Sequence, residues 1–345
     1  MTQKLKIGLV GAGKIVNIKH AHVFRDHQDL FEVVAIADPD AKTAQERADE
    51  LPGTQKIYKT HEELCADDNV EVVLVAVPPY LAVPMATACL EAGKHVMSEK
   101  PMGNTGEDAR QLYEASLKSK GRLMIAENFF FQAGYVKLRE MARSGDWPFG
   151  EPLMVHLHQF WKMTPKRIPQ WWDSPWRHDE RFKRLTWGYL IEGGCHTANP
   201  VREAFGMPRG IQSRMFQADP KVGQFDNLIA NCHFDNGTVG QITMSYGMNT
   251  GPSPMLQIMA THGTLIVDGG SIKLLTENGT EEMECPPPYG AQSACHAEWL
   301  HFHDVLVNGA DLEFTPWQAY NDIMFCQDII DAARIEPGPD GAVRD

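Results

Sequence analysis

The first chemical signal in this 345-residue chain is the segment Lys6-Ile7-Gly8-Leu9-Val10-Gly11-Ala12-Gly13-Lys14-Ile15-Val16. Its residue types suit a phosphate. Gly11 permits a tight turn after an apolar strand, and Gly13 leaves no Cβ in the way of a pyrophosphate. Lys14 and Ile15 then open a helix whose N-terminal amides and positive dipole end face the anion. The next apolar run, Phe31 to Ala37, ends at Asp38, about 25 residues beyond Gly13. An acid near this spacing meets the ribose hydroxyls of an adenosine. Its charge repels a 2′-phosphate, which favours NAD over NADP, although Lys42 nearby opposes that preference in part. Val16 stands where the fingerprint has Gly or Ala, so helix and strand are expected to pack less closely. The bland alternative is a sheet that keeps the turn and binds nothing.

Two other clusters bear chemistry. Glu99-Lys100-Pro101 follows a short apolar run, at what would be a strand end. Tyr189 to Asn199 reads as helical, with Glu192 one turn before His196, so the two share a face. Cys195 invites a nucleophile reading, but its neighbours Gly193 and Gly194 fit close helix packing better. The loop Gln170 to Asp179, with Trp171, Trp172, Trp176 and Arg177, lies close in sequence to Trp187 and His196. Indoles stack on the C–H faces of sugar rings while Arg and Asp fix hydroxyls, which points to a sugar or aryl-bearing substrate. His296 and His303 share a helical face near His301, yet no His-Glu-x-x-His pattern appears and no metal site is expected.

These groups need a frame. Residues 5 to 127 alternate apolar runs with helical patterns, which predicts a doubly wound parallel sheet. Val70 to Val77 reads as a strand buried on both faces. It is stopped by Val77-Pro78-Pro79-Tyr80 and followed by a helix from Met85 to Ala92. Lys94 to Ser98 and Arg122 to Ala126 are further strands, with a helix over 106–118 between them. After Asn128 the texture changes to period-two runs, predicting an α+β domain over 128–345 with a large, mostly antiparallel open sheet. Glu151 to Phe160 puts Met154, His156, His158 and Phe160 on one face, toward an oligomer interface. Further strands are expected at 211–217, 227–234, 238–246, 256–260, 263–267 and 272–275, with helices over 296–308 and 317–335.

Length alone predicts two domains. The net charge of −13 argues against nucleic acid or anionic membrane as partner. A local cluster of Lys162, Lys166, Arg167 and Arg177 could still meet an anionic substrate. The chain enters a strand without a signal-like run, and no apolar stretch nears the ~18 residues that span a bilayer. Seven scattered cysteines without a Cys-x-x-Cys pair fit reduced thiols and a cytoplasmic location.

The glycine turn, Glu99-Lys100-Pro101 and Gly193-Gly194-Cys195-His196 together resemble the Gfo/Idh/MocA family of glucose–fructose oxidoreductase and inositol dehydrogenase. The resemblance spans nearly the whole chain. It implies an NAD(P)-binding Rossmann domain, an open-sheet domain that forms dimers or tetramers, and oxidation or reduction of a sugar or cyclitol carbinol. It places Lys100 between nicotinamide and the reacting oxygen, and His196 as general base. Glu192 stands where the family usually has Asp, Asn199 where an Asp is common, and Val83 where a His is frequent. Pro78 and Pro79 would pack on the ribose, and Asn128 would neighbour the substrate. Some relatives keep NAD bound and cleave or isomerise a glycoside without net redox change, which is the alternative activity. A non-catalytic nucleotide sensor is a third.

Overall fold

Val72–Val75 (β4) is a run of four branched residues, all buried, because it lies in the middle of a sheet covered on both faces. The computed structural model describes residues 3–53, 55–160, 174–183, 188–219, 225–247 and 255–336. Around β4 run β1 (Leu5–Val10), β2 (Phe31–Ala37), β3 (Lys56–Tyr58), β5 (His95–Glu99) and β6 (Leu123–Ala126). All are parallel, in the order β3-β2-β1-β4-β5-β6. The order reverses between β1 and β4, so the crevice for a ligand opens beyond their carboxyl ends.

The local elements follow from their caps. Asp40 accepts the Lys42 amide and starts α2 (Ala41–Glu50). Thr60 and Glu63 form a capping box on α3 (His61–Cys65), and Thr105 caps α5 (Gly106–Lys118). The helix α4 spans Pro79–Glu91, six residues earlier at its start than the pattern suggests. Pro79 does not stop the chain but fills the first helical position, where its missing N–H costs nothing. The helix after the glycine turn also differs from expectation. Val16–His20 is wound as a π-helix before α1 (Ala21–Asp26).

The chain divides into two compact units, Met1–Asn128 with Ala291–Tyr320, and Phe129–Gly290 with Asn321–Asp345. This differs from the single division at residues 127 and 128 read from the sequence. The helix Ala294–Val307 returns to the first unit, where Trp299 is fully buried. Its ring lies 4.8 Å from Phe24 and 5.5 Å from Phe31, edge to face. Truncating such an indole to Ala costs about 3–5 kcal/mol. The returning helix is therefore an integral part of the first core.

In the second unit α6 (Ala133–Ser144) ends at Gly145, whose φ of 69° closes the helix. Nine strands then form one sheet: β7 (Pro152–Phe160), β8 (Gly210–Phe216), β9 (Asn227–His233), β10 (Val239–Ser245), β11 (Met255–Ala260), β12 (Thr264–Val267), β13 (Ile272–Thr276), β14 (Gly279–Met283) and β15 (Ala333–Ile335). Their order is β14-β13-β12-β11-β7-β10-β9-β8-β15. It is mostly antiparallel, with parallel contacts at β7/β10 and β8/β15. Along β7, Val155, Leu157 and Gln159 face inward, while Met154 and His156 are exposed, as the alternation requires. The helix expected over 317–335 stops at Asp331, and the last residues pair with β8 instead.

Candidate active site

The first unit supplies a nucleotide cradle. Gly11 has φ +88°, and a Cβ there would lie 2.4 Å from the Ala76 carbonyl oxygen, so no larger residue fits. Gly13 faces open space within 4 Å, which leaves its backbone approachable. Asp38 does more than wait for a ribose. Its Oδ2 accepts the Ala12 amide at 2.9 Å and its Oδ1 accepts the Asp40 amide at 2.9 Å. Arg47, buried and unremarked in the sequence, donates from Nε to the Ala12 carbonyl at 3.2 Å. Both polar groups of Ala12 are thus held, which fixes the turn. Lys14 is exposed and Ile15 precedes the π-wound turn. Lys42 faces Glu46 at 3.7 Å on the surface rather than Asp38.

At the carboxyl end of β4, Val77 and Pro78 are half-buried and Pro79 is buried. Beside them β5 ends at Glu99, followed by half-buried Lys100 and a cis peptide to buried Pro101. Glu99 Oε2 accepts the Lys100 amide at 3.1 Å, and Glu99 Oε1 pairs with His20 Nε2 at 2.9 Å. Glu298, on the returning helix, is 1 % exposed. Burial above all, then the charges of Glu99 and Glu127, push its carboxyl well above the ordinary range, with Lys19 opposing. No sequence signal marked it, because a Glu in a helix is usually solvated.

His296, His301 and His303 each have a separate structural partner. His296 contacts Asp26 and Ser293, His301 Nε2 accepts the Glu313 amide, and His303 Nε2 donates to the Gln3 carbonyl.

The second unit supplies the other cluster. The helix Gly188–Phe205 carries Glu192 and His196 one turn apart. The His196 imidazole stacks on Phe129, centroids 4.2 Å apart and planes at 17°. Phe129 follows Asn128, the first residue of a 3₁₀ turn, and no sequence motif marks it. Arg177 Nη2 donates to Glu192 Oε1 at 3.2 Å, both largely buried, and its guanidinium lies 4.3 Å from the Trp176 ring. Glu192 is therefore committed to a cation from the Trp-rich loop.

The glycines before His196 are explained by packing. A Cβ on Gly193 would meet the Tyr246 hydroxyl at 1.7 Å, and one on Gly194 the Cys326 sulfur at 3.1 Å. Cys195 is buried with its thiol directed at the Glu192 carbonyl at 3.5 Å, a packed residue. Tyr246, buried beside Glu192, has its phenol pushed well above the ordinary value by burial and that charge.

Asn199, expected beside the substrate, has a partner inside the second unit. It is fully buried, and its amide donates at 2.8 Å to Asp322, which also takes Arg202 at 2.6 Å. This bond ties the helix to the Pro316–Asp331 helix. Lys162, Lys166, Arg167, Trp171, Trp172 and Trp187 lie outside the described residues.

A family model described as an oxidoreductase family with NAD-binding Rossmann fold matches residues 5–127, and one described as a GFO/IDH/MocA C-terminal domain matches 135–266. The inositol 2-dehydrogenase of Salmonella typhimurium is 34% identical over 154 residues, 44% of this chain and 45% of that enzyme. The match thus spans less than half of that relative's length. The myo-inositol 2-dehydrogenase of Thermotoga maritima is 24% identical over 269 residues, 76% of this chain and 75% of that enzyme. An oxidoreductase structure from Thermotoga maritima superposes with a TM-score of 0.84 at 27% identity, covering 96% of this chain and 97% of that one. A levoglucosan dehydrogenase with NADH and levoglucosan shares the fold at a TM-score of 0.83 and 19% identity, covering 96% and 97% of the two chains.

Proposed function

The chain belongs to the GFO/IDH/MocA oxidoreductase family, and from that premise we propose that it is an NAD-dependent dehydrogenase or reductase acting on a secondary alcohol of a sugar, sugar derivative or cyclitol. The observation that carries this reading is the glycine turn closed by Asp38, set at the strand-order reversal of the parallel sheet. Gly11, Gly13, Lys14 and Ile15 would hold the pyrophosphate. Asp38 favours NAD over NADP, because a 2′-phosphate would meet a carboxylate already fixed by two amides. Val77, Pro78, Pro79, Glu99 and Pro101 would line the nicotinamide end. Relatives named as inositol dehydrogenases support a polyol substrate.

When bound, the nicotinamide supplies a hydride acceptor. His196 would remove the hydroxyl proton, because a neutral imidazole offers one ring nitrogen as acceptor. The Lys100 ammonium stabilises the negative charge that develops on the same oxygen. Glu192 and Arg177 fix substrate hydroxyls as an ion pair, with Trp176 behind the guanidinium and Asn128 nearby in sequence to Phe129. Phe129 keeps the imidazole plane in place.

The free thiols of all seven cysteines fit a reducing compartment, and we place the protein in the cytoplasm. Among the described residues no helix is long and apolar enough to cross a membrane. The exposed sheet face bears Leu153, Met154, Ile229 and Val239, each at least 39% exposed, and supports a homodimer or homotetramer built through that sheet.

The test is NADH absorbance on mixing the protein with NAD⁺ or NADP⁺ and a panel of sugars, glycosides and cyclitols. A rise with NAD⁺ and one polyol is the expected result. NAD carried through purification, with a glycoside consumed and no net NADH, would replace it with a redox-neutral lyase or isomerase.

A further inference from the structure

We propose that His20 and Trp299 are positioning residues for Lys100, acting through Glu99, a carboxylate that accepts hydrogen bonds from both sides inside the first unit. The inference rests on the dehydrogenase reading for the role of Lys100, but its geometry stands alone. Trp299 Nε1 lies 2.9 Å from His20 Nδ1. An indole N–H can only donate, so His20 Nδ1 accepts and carries no proton. The ring's proton is therefore on Nε2, which lies 2.9 Å from Glu99 Oε1 and donates to it. Glu99 Oε2, the other end of the same carboxylate, accepts the Lys100 amide at 3.1 Å.

Each link is directional, and the first two groups are shut away from water. His20 and Trp299 are both fully buried, and the Glu99 side chain is 13% exposed. The indole selects the imidazole tautomer, the imidazole orients the carboxylate, and the carboxylate holds the backbone from which the Lys100 ammonium extends. The π-wound turn Val16–His20 places its last residue, His20, at this point, and such turns are frequent at functional sites. Trp299 arrives from 279 residues away on the returning helix, so this part of the chain fixes a group on β5's end.

Three variants test the chain. His20→Leu removes both links. It is expected to lower kcat about 10–100-fold, as loss of an orienting partner does, with the NADH dissociation constant unchanged. Hydrogen exchange at the Lys100 amide should accelerate in the same variant. In His20→Gln the side-chain amide reaches the Nε2 position and can donate to Glu99, so turnover and Lys100 protection should largely return. In His20→Asn, one methylene shorter, they should not. If His20→Leu fails to fold, the Gln and Asn pair still decides. Equal behaviour of Gln and Asn, NADH binding that falls in step with kcat, or unchanged Lys100 exchange would each overturn the proposal. Should the native protein reduce no NAD⁺ with any substrate, the dehydrogenase reading fails, whereas amide exchange at Lys100 still tests the chain without turnover.

Discussion

Glu298→Gln should stabilise the protein, and by more as the pH rises. The carboxyl is 1% exposed and lies within reach of the Glu99 and Glu127 charges, so the folded state holds its proton well above the ordinary carboxyl range. The unfolded chain releases that proton near pH ~4.3. Because the folded pKa is raised, the benefit of the neutral acid is complete below the unfolded value. It is lost progressively as the pH climbs toward the folded value. Across that window the wild type loses about 1.4 kcal/mol per pH unit, or about 3 kcal/mol over two units. Gln mimics the protonated acid in size and hydrogen bonding but takes no part in this loss. At about 2–4 °C per kcal/mol, the difference in melting temperature should widen by roughly 6–12 °C over two pH units. Calorimetric melts of both proteins between pH 5 and 8 measure it. A difference that stays constant with pH would mean that Glu298 is ionised in the fold, and the reasoning from burial would be wrong.

Four further outcomes are expected. His196→Ala should lower turnover by about 10²–10⁴-fold while NADH fluorescence titration shows unchanged binding; undiminished turnover removes His196 as the base. Lys100→Met should cut turnover with NAD still bound, and loss of binding would instead assign Lys100 to holding the cofactor. Gly11→Ala forces a Cβ against the Ala76 carbonyl at a φ of +88°, so dinucleotide binding should fall and stability drop by about 1–3 kcal/mol. Asn199→Asp restores the acid common in the family but sets two buried carboxylates together at Asp322, so thermal melts should show a loss of about 1–3 kcal/mol. An unchanged melt with an altered KM would return Asn199 to the substrate.

The parts of this molecule legible in the sequence are those whose cause is local. The Gly11–Gly13 turn, the buried branched run of β4 and the alternation along β7 each follow from neighbours a few residues apart. The illegible parts depend on partners far away or on surfaces without a pattern. β14 reads Gly-Thr-Glu-Glu-Met and is exposed but for half-buried Met283, so no apolar period announces it; pairing with β13 makes it a strand. β15 was absorbed into the preceding helix because three residues carry too little periodicity to mark a break. Asn199 looked like an acid that had lost its charge beside a substrate. Its partner Asp322 is 123 residues away and leaves no mark in the local sequence. In the same way Phe129 and Arg47 became visible through what they touch, the His196 ring and the Ala12 carbonyl.

The returning helix explains why the two units are interleaved in sequence. A parallel sheet with a glycine turn is a general solution to holding a dinucleotide, and residues up to Asn128 contain all of its strands. What they lack is a cover for Phe24 and Phe31 and a donor for His20 Nδ1. Trp299 provides both with one side chain, its ring face for packing and its N–H for the imidazole. Glu298, its neighbour, adds a buried carboxyl whose proton is held more tightly than usual by burial and by the charge of Glu99. The same helix therefore completes the core of the first unit and sets the electrostatic surroundings of the residue before Lys100. A chain cut after residue 128 would lose both the core cover over Phe24 and Phe31 and the indole donor to His20.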